Sequence, residues 1–190
     1  MLLSYLLTHP IETLGALLSV VGIWLNTQGN RWGWLVGVGG TLCYIWVFGI
    51  GELHGNFLLN IYFLLSSVYG FFAWKPASSV PRPFRRLGLS KFGGVLVLAL
   101  AVGLGLAQLL HSKGTTAQQL DTLTTTLSVI AQILLVGKIT ESWLLWLVAD
   151  VVYVYMYWAE GWYASLVLYA VLCLLALRGF WYWHKTDNLE

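Results

Sequence analysis

Charge, cysteine and proline are scarce in this sequence. Only 9% of its 190 residues are Asp, Glu, Lys or Arg, against about 25% in an ordinary soluble domain. So little charge cannot clothe a solvated surface of normal size, which excludes a separate soluble domain. The two cysteines, Cys43 and Cys173, both fall inside apolar runs; they read as small buried hydrophobes, forming neither a disulfide framework nor a metal site. The four prolines, Pro10, Pro76, Pro81 and Pro83, leave the long apolar stretches unbroken. There is no G-x-S-x-G, H-E-x-x-H or G-x-x-x-x-G-K, so common hydrolase, zinc-protease and nucleotide-binding signatures are missing. The chain is read as a non-enzyme that needs no cofactor. Its opening M-L-L-S-Y-L-L-T-H-P lacks a basic segment and a small-residue cleavage site, and is taken as mature protein.

What is present is apolar: 58% of residues are hydrophobic, mean hydropathy is +0.75, and there are 11 Trp and 10 Tyr. A span needs about 20 residues to cross roughly 30 Å of hydrocarbon. The pattern predicts an all-α integral membrane protein of seven transmembrane helices, near 11–27, 32–50, 56–74, 92–110, 120–137, 141–158 and 162–183, forming a single membrane domain over 1–190. The one long connection, 75–91, holds three prolines and five basic residues. With the amino terminus outside and the carboxyl terminus cytoplasmic, nine of the ten Lys and Arg fall on the cytoplasmic side and only Lys113 outside, as the positive-inside rule requires. Basic residues at membrane flanks form no aromatic-interleaved patch, so nucleic acid is set aside as a partner. His9, His54, His111 and His184 fall at predicted helix ends or loops and read as interfacial.

An internal repeat appears at an offset of 109 residues. It pairs Glu12 with Asp121 as acidic helix starts, Leu18-Ser19-Val20 with Leu127-Ser128-Val129, Trp34 with Trp143, Tyr44 with Tyr153, Gly70-Phe71 with Gly179-Phe180, and Trp74 with Trp183. The prediction is two parallel three-helix repeats, 11–74 and 120–183, joined by a featureless linker helix at 92–110, in a 3+1+3 order. Parallel repeats of this kind are a transporter arrangement, with solute held near mid-depth between halves that rock about it.

The polar residues inside the spans name a candidate site. On the sixth span Trp143, Trp146, Asp150, Tyr153 and Tyr157 follow at helical spacing and share one face. A carboxylate at mid-bilayer costs roughly 2.5–3.5 kcal/mol, so Asp150 should face a cavity or a partner instead of lipid. Asn56, Asn60, Phe63, Ser67 and Gly70 form a stripe on the third span, and Asp121, Thr125, Ser128 and Gln132 one on the fifth. Asn60, Gln132 and Asp150 are read as site residues, whereas Ser19, Ser66 and Thr41 are read as helix-to-helix bonds. Trp32, Trp74, Trp158, Trp162, Trp181 and Trp183 sit at span ends and read as an interfacial belt. Position alone leaves Trp143 and Trp146 open between belt and site.

One run has a family. Lys138-x-x-Glu141-x-Trp143-Leu-Leu-Trp146 resembles the K-x-x-E-N-W-L-L-W of the PnuC bacterial vitamin transporters. Leu58-Leu-Asn60 leading to Tyr69-Gly70-x-x-x-Trp74, and Gly161-x-Tyr163 leading to Tyr169, support it. The resemblance covers about 12–183 and implies a SWEET-like 3+1+3 fold and a homotrimer in the lipid of the bacterial inner membrane. It also implies facilitated diffusion of an unphosphorylated vitamin that cytoplasmic phosphorylation traps. The sequence departs from the nicotinamide riboside pattern at Asp150, where those carriers have asparagine, and at Asn60, where they have glutamine; it also lacks their longer loops. Thiamin and nicotinamide riboside are both flat cations that indoles can stack on and a carboxylate can neutralise, and the carboxylate tips the reading towards thiamin. The expected substrate-binding set is Trp143, Trp146, Asp150, Asn60, Gln132, Tyr153, Ser128, Tyr169 and Trp34. A proton-coupled symporter and the substrate-binding subunit of an ATP-driven importer are the alternatives.

Overall fold

A computed structural model describes residues 9–50, 54–74, 84–112, 114–161 and 163–187. Its described residues form seven α-helices: α1 (Pro10–Thr27), α2 (Trp32–Ile50), α3 (His54–Ala73), α4 (Leu89–His111), α5 (Thr116–Val136), α6 (Ser142–Glu160) and α7 (Tyr163–Asp187). Five are long and apolar enough to cross a membrane by length and composition, and shorter apolar helices cover Trp32–Val47 and Leu58–Ala73. The chain falls into two compact units, Met1–Pro83 and Phe84–Glu190.

In the first unit, α1 starts on Pro10 with Glu12 in its first turn, where a missing N–H and a negative charge both suit a helix N-terminus. It ends where the N–H groups of Gln28, Gly29 and Asn30 return to the carbonyls of Leu25 and Asn26, with Gly29 at φ 70°. The Asn30 side chain then accepts the Trp32 N–H at 3.0 Å and opens α2. α1 packs on α2, and α2 on α3. The first seam is close because it is lined with glycine: a Cβ on Gly22 would meet the Gly33 carbonyl oxygen at 2.9 Å.

The second unit is built round α6, which packs on both α5 and α7, while α4 packs on α5. Ala99 of α4, Leu127 and Ala131 of α5, and Leu145 and Ala149 of α6 form its fully buried core. The fourth helix, expected to be a featureless connector, therefore supplies part of this core. α5 starts at Thr116 and not near residue 120, because Thr115 and Gln118 form a capping box: the Thr115 N–H donates to Gln118 Oε1 at 2.9 Å and the Gln118 N–H to Thr115 Oγ1 at 3.3 Å. Asp121 consequently lies beyond the first turn, and the expected pairing of acidic helix starts does not hold for it. Gly161, at φ 75°, caps α6 in the left-handed conformation.

Residues 84–88, expected as part of a long loop, form a strap across the α5–α6 connection. The Arg85 N–H donates to the Lys138 carbonyl at 2.8 Å, and the Thr140 N–H to the Arg85 carbonyl at 2.9 Å. The Glu141 carboxylate accepts the Leu87 N–H, with both oxygens at 3.1 Å. Phe84 stacks on Trp183, centroids 4.3 Å apart and planes 13° from parallel.

The two units share one packing device. In the first, Trp34 meets Trp74 edge to face at 5.0 Å and 83°, and a Cβ on Gly70 would come within 2.6 Å of the Trp34 ring. In the second, Trp143 meets Trp183 at 5.3 Å and 83°, and a Cβ on Gly179 would come within 2.5 Å of the Trp143 ring. These are the residues that the 109-residue offset pairs.

Candidate functional site

Seven of the nine predicted site residues belong to the second unit, on its helices α5, α6 and α7. α6 and α7 run antiparallel there: Trp143 meets Gly179 and Trp183 near one end, and Tyr153 meets Tyr169 further along, at 4.6 Å. Between them Asp150 is 4% exposed and close enough to Cys173 of α7 to interact with it electrostatically. Eight residues into α6, at 1.5 Å each, it lies about 12 Å from the start of that helix. Among the described residues it has no ion pair and no hydrogen bond.

On the other side, Tyr153 lies near enough to Asp121, Thr124 and Thr125 of α5 to interact with them electrostatically. Ser128 and Gln132 are buried, at 3% and 6% exposure, and Trp146 is half-buried, packed against the α4–α5–α6 core. Beyond Asp150 the rings of Tyr153, Tyr157 and Tyr169 contact one another, with Tyr153–Tyr157 at 5.9 Å and Tyr157–Tyr169 at 5.3 Å. Along α6 the described side chains thus include an indole, an enclosed carboxylate and two phenols, with the Tyr169 phenol of α7 against them and a hydroxyl and an amide buried on the neighbouring α5. The set can neutralise a cation, stack on a flat ring and bond to hydroxyl groups.

Two of the expected stacking platforms are packed differently. Trp143 and Trp34 are 1% and 2% exposed, each set on a glycine and against a second indole. Their geometry is that of packing residues, which leaves Trp146 as the indole on the stripe with the looser surroundings. Asn60 lies in the first unit, half-buried on α3. Reading the sequence missed the strap on Glu141, whose partner, the Leu87 N–H, lies 54 residues away.

No group of three or more His, Cys, Asp or Glu able to hold a metal occurs among the described residues.

A bundle of apolar helices with a carboxylate enclosed midway along one of them defines a multi-pass membrane protein of the transporter class. The chain belongs to the PnuC family: the family model described as "Nicotinamide mononucleotide transporter" matches residues 9–185. It is 27% identical to the nicotinamide riboside transporter PnuC of Escherichia coli (strain K12) over 203 residues, covering 92% of this chain and 84% of that one. Its identity to the protein of the same name from Haemophilus influenzae is 31% over 141 residues, covering 72% and 60%. A solved structure described as the crystal structure of the vitamin B3 transporter PnuC superposes with a TM-score of 0.78 at 19% identity, over 99% of this chain and 87% of that one; at this identity the likeness speaks for the fold.

Proposed function

We propose that the protein carries nicotinamide riboside, an unphosphorylated flat cation of the vitamin B3 class, across the bacterial inner membrane by facilitated diffusion. Asp150 carries the reading. An unpaired carboxylate enclosed midway along a span is costly unless something neutralises it, and a cationic ring stacked near Trp146 and the tyrosines would do so. Ser128 and Gln132 would bond to its hydroxyl groups. Asn60, a polar residue half-buried within α3, is included as a further hydrogen-bonding group and is tested by its own alanine variant. The names of the relatives weigh towards nicotinamide riboside; the carboxylate serves thiamin equally well, so thiamin is the second candidate.

In this reading the two units are two parallel three-helix repeats in a 3+1+3, SWEET-like order with α4 as linker, supported by the matched indole–glycine pairs. The amino terminus is outside, three copies assemble, and cytoplasmic phosphorylation traps the product; a particle mass in detergent other than that of a trimer removes the assembly from the reading.

The test is binding to purified protein, followed by tryptophan fluorescence, against nicotinamide riboside, its reduced and uncharged form, thiamin and riboflavin. Asp150→Asn should weaken both cations about tenfold or more while changing the uncharged form by less than about threefold, since bonds to a charged group are worth about 1.5–3 kcal/mol. Equal losses for charged and uncharged ligands would remove charge pairing as the role of Asp150.

A further inference from the structure

We infer that the outward face of α7, at its carboxyl-terminal end, is a binding site for the headgroup of an anionic phospholipid, built by Arg178 and Lys185 with Trp181 between them and Arg86 of the strap beside them. The inference is independent of which solute the protein carries.

The core fixes which face this is. Ala176, Gly179 and Trp183 are buried, and Gly179 receives the Trp143 ring, so that side of α7 is turned to α6. At about 100° per residue, Leu174, Arg178, Trp181 and Lys185 lie about 140–180° round the helix from Trp183. All four are exposed. In a helix long and apolar enough to cross the bilayer, this is the face that meets lipid.

Such a stripe ordinarily stays apolar to its end, and this one does not. Leu174 is followed by a guanidinium, an indole and an ammonium, each about one turn further on. Arg178 stands seven residues, about 10 Å, inside Lys185, and its long stem lets the charge extend towards the interface. The Lys185 ammonium lies over the Trp181 ring at 5.2 Å, and tryptophan at a span end settles at headgroup level. An ammonium carries several N–H donors, so the ring contact leaves others for a phosphate. The last carbonyls of a helix repel an anion. Here the Arg86 guanidinium donates to the His184 carbonyl at 2.7 Å, which offsets that repulsion and brings a third cation to the same helix end. Cations above the exposed Leu174 and Leu177 match a phosphodiester above its acyl chains.

The first unit supplies the comparison. At the 109-residue offset Leu174, Arg178 and Trp181 correspond to Leu65, Tyr69 and Phe72 of α3, which are likewise exposed and carry no charge. Packing inside the unit does not demand a cation on α7, since the face points away from the core.

The experiment is mass spectrometry of the intact purified protein released from nonionic detergent, with dioleoyl phosphatidylglycerol and dioleoyl phosphatidylcholine titrated in parallel. These lipids share their chains and differ in net charge. Wild type should bind the first phosphatidylglycerol about twenty-five-fold more tightly than phosphatidylcholine, about fivefold for each of Arg178 and Lys185. Arg178→Gln and Lys185→Gln should each bring the preference down to about fivefold, and the double variant to under about twofold. Arg31→Gln removes the same charge from the first unit and should stay within about twofold of wild type. Equal binding of the two lipids by wild type, a preference that survives the double variant, or an equal loss in Arg31→Gln would overturn the inference, the last by making net charge the cause. Inorganic phosphate in excess should leave the phosphatidylglycerol in place; its displacement would assign the cations to a free anion and overturn the lipid site as well. Should the double variant fail to fold, the two single variants decide by their ratios.

Discussion

Gly70 and Gly179 each let an indole lie on bare helix backbone. A methyl group at Gly179 would stand 2.5 Å from Cδ2 and Cε2 of Trp143, which is itself held by Trp183. The ring has nowhere to go, and overpacking of this kind costs about 1–3 kcal/mol. Gly179→Ala should therefore lower the thermal unfolding midpoint in detergent, and Gly70→Ala should do so by a similar amount. Alanine at Gly105, where an added Cβ meets nothing within 4 Å, is the control and should leave the midpoint in place. A Gly179→Ala protein as stable as wild type would show that the indole is free to move. The residues of this device were legible in the sequence, since the repeat pairs Trp34 with Trp143, Gly70 with Gly179 and Trp74 with Trp183. Their contact was not: an indole near a span end has the same position whether it stacks on a solute, lies in the interface or packs on a glycine. Only neighbouring helices separate those cases.

At the scale of elements, the length of the apolar runs located the seven described helices, and helical spacing located the polar stripe of α6. Both failed where the chain is ordered by backbone hydrogen bonds instead. The start of α5 is made by Thr115 and Gln118, polar residues that add nothing to an apolar count. The strap at 84–88 lies in a basic, proline-rich connection, and its partners at Lys138, Thr140 and Glu141 are over 50 residues away. Glu141, recognised first as a letter in a family motif, has a physical task here: its half-buried carboxylate anchors the approach to α4 by taking the Leu87 N–H on both oxygens. Glu141→Ala removes that acceptor and should cost about 1.5–3 kcal/mol, the worth of a hydrogen bond to a charged group. Hydrogen exchange would locate the effect, with the Leu87 amide losing protection while the amides of the α6 interior keep theirs. Protection at Leu87 that survives the substitution would mean that the Arg85 bridge alone holds the strap.

For the whole molecule the distribution of basic charge decides between two ligands that differ by one phosphate. The family description names the mononucleotide and the relatives name the riboside. Four of the described basic side chains are engaged near helix ends: the Arg31 guanidinium lies over Trp32 and Phe71 at 5.3 and 4.8 Å, Arg86 donates to the His184 carbonyl at 2.7 Å, and the Lys138 and Lys185 ammonium groups lie over Phe84 and Trp181 at 5.8 and 5.2 Å. The stripe of Trp146, Asp150 and the tyrosines contains a carboxylate and no cation. A phosphate carried to mid-span would arrive beside a negative charge with nothing to balance its own, and burying an uncompensated ion costs several kcal/mol. A difference of only 2.8 kcal/mol is a hundredfold in affinity. In liposomes containing the purified protein alone, nicotinamide riboside should therefore equilibrate to the outside concentration, at a rate indifferent to an imposed pH gradient. The mononucleotide should enter at under about one hundredth of that rate. Mononucleotide flux comparable to riboside flux would show that a cation reaches the stripe during transport, and accumulation of riboside driven by the pH gradient would make the protein a proton symporter instead.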